Sequence, residues 1–173
     1  MTKTTITTII NNFASRNIQA SYFQTLKEAK SKILELIPAD SSIGIGNSRT
    51  LKEMDISAEL TKRGYRVLDK TLANTKEESQ ELKRNSLLTD WYITGTNAIS
   101  AEGHIVNIDH SGNRVAAMLY GPENVIIIVG TNKITETLDE AIHRAKNIAA
   151  PLNAKRAGFN PPFKIQVWFL ENT

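Results

Sequence analysis

The chain has 173 residues, 40% apolar and 23% charged, with a net charge of +3, which describes one domain with a sizeable core. Its basic residues are scattered among acids and form no stripe with aromatics, which speaks against nucleic-acid binding. It has no cysteine, so disulfides, thiolate zinc sites and an internal iron–sulfur cluster are excluded.

The opening "MTKTTITTIINNF" lacks a basic region followed by an apolar core and a small-residue cleavage site, so it does not read as a signal peptide. No apolar run approaches the ~20 residues that span a bilayer. A cytoplasmic protein with no membrane or nucleic-acid partner is expected.

Residues 3–14 carry Ile6, Ile9, Ile10 and Phe13 at helical spacing. Thr25 opens a second helix, with Glu28 three residues on as a capping box and Leu26, Ala29, Ile33, Leu36 and Ile37 as its stripe. Pro38 and Asp40 stop it. Ser42–Gly46 reads as a short buried strand. Residues 50–63 read as a helix interrupted near Asp55, with Gly64 a candidate C-terminal cap. "YRVLDK" is a strand, 75–88 a polar helix, "DWYITG" and "HIVNID" strands, and 113–120 a short helix. "VIIIVG" is apolar throughout, which predicts burial on both faces. Residues 135–149 predict a helix ending at Pro151, "LNAKRAGFNPP" a long polar connection, and "FKIQVWFLE" the last strand. The alternation of helices and strands predicts an α/β sandwich with a mostly parallel sheet.

In such a sheet, ligands bind beyond the carboxyl ends of the strands. Four polar loops stand there. The first carries Gly44, Gly46, Ser48 and Thr50. Its small residues let the backbone present N–H groups, its hydroxyls add donors, and a helix starting near Thr50 would turn its positive end inward, all favouring a phosphate or carboxylate. Arg49 occupies the place of the third glycine of a dinucleotide fingerprint, and the loop lacks the Gly-Lys-Ser/Thr of a P-loop. A plain glycine-assisted strand-to-helix turn fits equally well.

The second loop carries Gly95, Thr96, Asn97 and Ala98. The third carries Asn107, Asp109, Asn113 and Arg114, and the fourth Thr131, Asn132 and Lys133. Arg114 and Lys133 supply positive charge, although Asn and Asp in loops are commonly turn formers. His104, His110 and His143 have no metal-like spacing. Asp109-His110-Ser111 is no triad, because neighbours in sequence point in different directions. Glu102 and Asp109 are the candidate catalytic carboxylates for proton transfer, with turn or cap roles as the alternative. Trp91 and Trp168 read as packing residues.

The stretch "TGTNAISAEGHIVNIDHSGNRVAAMLYGPENVIIIVGTNKI" (94–134) resembles the signature of the LUD domain, the lactate-utilisation family. "IGIGNSRTLKEM" (43–54) is similar to its N-terminal glycine motif and "AAPLNAKR" (149–156) to its C-terminal one. The likeness is closest to the short, single-domain members, such as the third component of the bacterial lactate-utilisation operon. It implies a three-layer α/β/α sandwich like that of sugar-phosphate isomerases and coenzyme A transferases. In those relatives a glycine loop after the first strand contacts phosphate or coenzyme A, and here that loop holds Gly44, Gly46, Ser48 and Thr50.

The resemblance also implies a part in oxidising L-lactate to pyruvate, beside partners that carry iron–sulfur clusters. Many short members have a cysteine cluster where this chain reads "AGFNPPFKIQVWFLE". Any electron-carrying cluster must therefore belong to a partner, and no cofactor of the chain's own is expected. Three readings are open. One is an accessory subunit binding a small anionic metabolite, with a homodimer left open. Another is an isomerase- or transferase-like enzyme on a phosphorylated or coenzyme A-linked metabolite, using Glu102 or Asp109 as acid/base and Lys133 and Arg114 to hold the anion. The last is a regulatory or scaffold protein with a vestigial pocket.

Overall fold

The computed structural model describes residues 3–157. Helix α1 spans Lys3–Ala14 and α2 Leu26–Leu36. The predicted capping box opens α2: Thr25 Oγ1 accepts from Glu28 N, and Glu28 Oε2 accepts from Thr25 N, both at 3.2 Å. Strand β1 (Ser42–Ile45) leads into α3 (Arg49–Met54) and α4 (Ile56–Lys62), and the break between the helices falls at Asp55, whose φ is 52°. Strand β2 (Arg66–Asp69) passes through a 3-10 turn, Lys70–Leu72, to α5 (Lys76–Asn85), and a second 3-10 turn, Ser86–Leu88, leads to β3 (Trp91–Thr94). Then come β4 (Ala98–Ser100), β5 (Ile105–Val106), α6 (Asn113–Leu119), β6 (Asn124–Ile127), a 3-10 turn at Thr131–Lys133 and β7 (Ile134–Thr135). The described chain ends with α7 (Leu138–Arg144), a π segment (Ala145–Ala149) and α8 (Ala150–Ala157).

The main sheet is parallel throughout, in the order β2-β1-β3-β6. From β1 the chain steps outward to β2 and then crosses back to β3, so the direction of winding reverses between β1 and β3. That reversal opens the crevice where open α/β sheets bind ligands. On one face Ile43, Ile45 and Ile93 pack against Ile33 of α2 and against Leu51, Ile56 and Leu60 of α3 and α4. Each such fully buried aliphatic side chain contributes about 1.5–3 kcal/mol. The elements α5, Ser86–Leu88 and α6 pack against β2, β1 and β3. Asp90 ties the entry ends of the strands together: its Oδ2 accepts from Ser42 N and Oγ at 2.7 Å each, and its carbonyl accepts from Asn124 N at 3.1 Å. The bonds from Ser42 hold its carboxyl below its ordinary pKa.

A smaller sheet, β5-β4-β7, continues from β3 and β6, with β4–β5 antiparallel and β4–β7 parallel. Ile9 and Phe13 of α1 bury against Ile99 of β4, and α7 packs on β4, β5 and β7. The fold is thus the expected α/β class, a mostly parallel sheet flanked by helices.

Four expectations are corrected. "VIIIVG" is not buried on both faces: β6 stands at the sheet edge among the described residues, and its four residues are half-buried or exposed. "HIVNID" is ordered as a strand over only two residues. The strands β4 and β7 were not foreseen, because two or three residues are too few to show a period. The helix does not end at Pro151 but runs through it to Ala157. Proline ordinarily breaks a helix by removing an N–H and colliding with the carbonyl four residues back. Here the wider π turn, in which Ala150 N bonds to Ala145 O, loosens the ladder just before Pro151. The expected last strand lies outside the described residues.

Candidate functional site

The site is built at the carboxyl edge of the main sheet. Gly44 and Gly46 exist there for close approach. A Cβ at Gly44 would sit 2.7 Å from Tyr92 Cδ2, and one at Gly46 would collide with Thr94 Oγ1. The next loop meets the first in the same way: a Cβ at Gly95 would lie 2.6 Å from Ser48 Oγ. The first and second loops are therefore in direct contact. Ser48 precedes α3 but makes no capping bond, and its buried hydroxyl has no partner among the described residues. Leaving such a group unpaired costs about 1–3 kcal/mol. Thr50 lies one residue inside α3.

Arg114 knits the second and third loops together. Its Nη1 donates to Gly95 O at 2.9 Å and Asn107 Oδ1 at 2.8 Å, and its Nη2 donates to Asn97 Oδ1 at 2.8 Å and Ile108 O at 3.2 Å. Its Nε lies 3.6 Å from Asp109 Oδ1, and its side chain is only 11% exposed. The Nη donors are thus spent inside the protein, while the positive charge remains. Thr96 Oγ1 lies 3.1 Å from Asn107 Oδ1, and Ile108 N donates to Asn97 Oδ1 at 3.0 Å. Asp109 works as a cap: its Oδ2 accepts from Arg114 N and Val115 N in the first turn of α6. Asn113 accepts from Ser111 Oγ at 3.1 Å.

The fourth loop closes the network. Lys133 Nζ donates to Thr96 O at 3.0 Å, and Arg144 of α7 donates through Nη1 to Asn97 O. Burial pushes the Lys133 ammonium below its ordinary pKa, and the charges of Arg144 and Arg114 push the same way. Asn132 sits on the exposed side of this turn, beside Gly130. Glu102 stands apart from the other candidates, at a junction of α1, the β4–β5 turn and α7. Its Oε2 accepts from Leu138 N at 2.8 Å, and His104, bonded to Ser100 and Arg16, lies beside it. The two candidate carboxylates are thus held in separate networks.

Three residues passed over in the sequence complete the edge. Lys70 comes directly after β2 and is half-buried, and its ammonium has no hydrogen-bond or ion-pair partner among the described residues. Burial lowers its pKa most, Lys83, Arg114 and Arg156 lower it further, and Asp109 works against them. Arg156, in the "NAKR" segment of α8, donates to Asn47 Oδ1 at 3.3 Å. Tyr92 is 1% exposed, and burial, aided by Asp109, pushes its phenol up to about 12, so it stays neutral and is no base. The expected strand "YRVLDK" ends at Asp69, so Lys70, like Lys133, comes just after a strand. Among the described residues no group of three or more His, Cys, Asp or Glu side chains is placed to hold a metal ion, and no helix is long and apolar enough to cross a membrane.

Chemically, this edge concentrates positive charge on a framework in which Glu102 and Asp109, the two candidate catalytic carboxylates, are already committed as caps. It is suited to holding an anion rather than to moving protons. No curated protein matches the sequence. The sequence model of the LUD domain matches residues 6–165, a span that includes every loop of this edge and the Arg156 helix, and the chain belongs to that lactate-utilisation-associated family.

Proposed function

We propose that the protein is an accessory subunit in the oxidation of L-lactate to pyruvate, holding a small anionic ligand at the sheet edge while partner proteins carry the iron–sulfur clusters. Family membership supports the metabolic setting. One observation carries the ligand: the half-buried Lys70 ammonium feels Lys83, Arg114 and Arg156, offset only by Asp109, and pairs with no carboxylate among the described residues. A desolvated ammonium facing other cations is unfavourable, and a bound anion relieves it. Lys133 adds a second half-buried charge, Arg114 adds its field without its donors, and the Gly44–Thr50 loop forms the neighbouring wall. The acid–base enzyme reading has less support, since Glu102 caps α7 and Asp109 caps α6.

Thermal unfolding in lactate, pyruvate and inorganic phosphate at constant ionic strength tests the ligand. An anion at ten times its dissociation constant stabilises by about 1.4 kcal/mol, a rise of roughly 3–5 °C for a chain of this size. Lys70→Gln combined with Lys133→Gln is expected to abolish the rise. Affinity capture of the native protein, read by mass spectrometry, is expected to retain iron–sulfur proteins. No stabilising anion and no such partner would leave the proposal without support.

A further inference from the structure

Beside the cations lies a cleft of about 300 Å³, between the carboxyl ends of β1 and β2 and the helices α3 and α4. Its walls are largely apolar, with Ile45, Leu51, Ile56 and Leu72. It is several times larger than a three-carbon hydroxy acid needs and falls at the lower end of organic-ligand pockets. Two of its hydroxyls are unspent. Ser48 and Ser57 line it with hydroxyls that have no partner among the described residues. Asp69, buried at the end of β2, also lines it. Its Oδ1 is fixed by Thr71 N at 2.8 Å and Thr71 Oγ1 at 2.7 Å, which leaves Oδ2 uncommitted among the described residues. A rigid carboxylate at the end of the second strand, across from a glycine loop at the end of the first, is the arrangement that accepts hydrogen bonds from a ribose diol.

The cleft and the cations are continuous. Asn47 lines the cleft and binds Arg156, and Lys70 directly precedes Thr71 of the cleft wall. Building on the anion reading, we propose that the ligand of this edge is a nucleoside phosphate. Its base lies on the apolar walls, its ribose hydroxyls meet Asp69, and its phosphate sits at Lys70 and Arg156. Arg49 in place of a third glycine argues for a single nucleotide rather than a dinucleotide.

Calorimetric titration at fixed ionic strength with AMP, GMP, CMP, UMP, 2′,3′-dideoxy-AMP, ribose 5-phosphate and inorganic phosphate tests this. At least one ribonucleotide is expected to bind ten times more tightly than ribose 5-phosphate or phosphate. If that nucleotide is AMP, its dideoxy form should lose tenfold. Ala58→Trp places an indole at the cleft from an exposed position and should weaken the preferred nucleotide tenfold while sparing phosphate. Asp69→Asn keeps an oxygen for Thr71 and should act the same way. Lys70→Gln should weaken every phosphorylated probe. Equal binding of nucleotides, ribose 5-phosphate and phosphate, or nucleotide affinity unmoved by Ala58→Trp, overturns the inference and leaves the anion reading standing. Absence of binding by all the probes overturns the inference, and silence of lactate and pyruvate in the thermal test as well overturns both.

Discussion

The guanidinium of Arg114 is shared among Gly95, Asn97, Asn107 and Ile108, so its loss would free two Asn side chains and two carbonyls at once. Arg114→Ala is expected to cost about 3 kcal/mol in urea unfolding, the range for breaking a buried charged network. Arg114→Lys should recover little of this, because a point charge cannot bridge four acceptors held by a planar fork. A loss below about 1 kcal/mol, an ordinary hydrogen bond's worth, would mean that the loops hold themselves. Gly46 sets a second limit at this scale. A methyl there meets Thr94 Oγ1 and Cβ, both on a fully buried strand residue, so Gly46→Ala is expected to destabilise by about 1–3 kcal/mol. Thr94→Ala in the same chain removes Oγ1, the nearer of the two, and should restore part of that loss.

Among the elements, α8 depends on a local irregularity. The π segment before Pro151 adds a residue to the turn, and one extra residue rotates the downstream helix by about 100° on the helical wheel. That rotation is part of what brings Arg156 to Asn47. Pro151→Ala lets the ladder close as an ordinary helix. Stability should stay level or rise by up to about 1 kcal/mol, while phosphate affinity falls to that of Arg156→Gln. Unchanged affinity would mean that tertiary packing, not the π turn, positions Arg156. The same elements show what could be read from the sequence. Thr25 and Glu28 carry their capping box in four residues, and the break at Asp55 and the turn at Gly64 are equally local, both with positive φ. An apolar run such as "VIIIVG" identifies a strand but not its place in the sheet. Likewise the four after-strand loops identify the edge, yet Lys70 and Arg156 come together with Asn47 only when β2, β1 and α8 are placed in space. Arg114 is legible as a cation but not as a donor turned inward, since its acceptors are spread over the β3–β4 and β5–α6 loops.

At the scale of the whole molecule, the half-buried lysines couple pH to both stability and binding, with opposite signs. Lys70 and Lys133 titrate below 10.5 in the folded chain and near that value once unfolded. Across that window the unfolded state binds more protons, so stability rises with pH. Tyr92 acts the other way. Its folded pKa of about 12 lies above the ordinary 10.0, so the folded state holds the extra proton and stability falls between those values. Integrated over the shift, Tyr92 contributes about 3 kcal/mol, lost as pH rises through 12. The difference in unfolding free energy between the native chain and Tyr92→Phe should therefore bend downward only above pH 10. The double Lys70→Gln, Lys133→Gln variant should lack the lysines' part of the rise at lower pH. Anion affinity has the reverse slope, because the ligand needs the ammonium charges that the apo fold penalises. Binding should take up protons below pH 10.5, and the affinity for phosphate should fall as the lysines discharge. Calorimetry in two buffers of different ionisation enthalpy measures the uptake directly. A phosphate affinity that is flat through this window, or unchanged in the double variant, would remove Lys70 and Lys133 from the site.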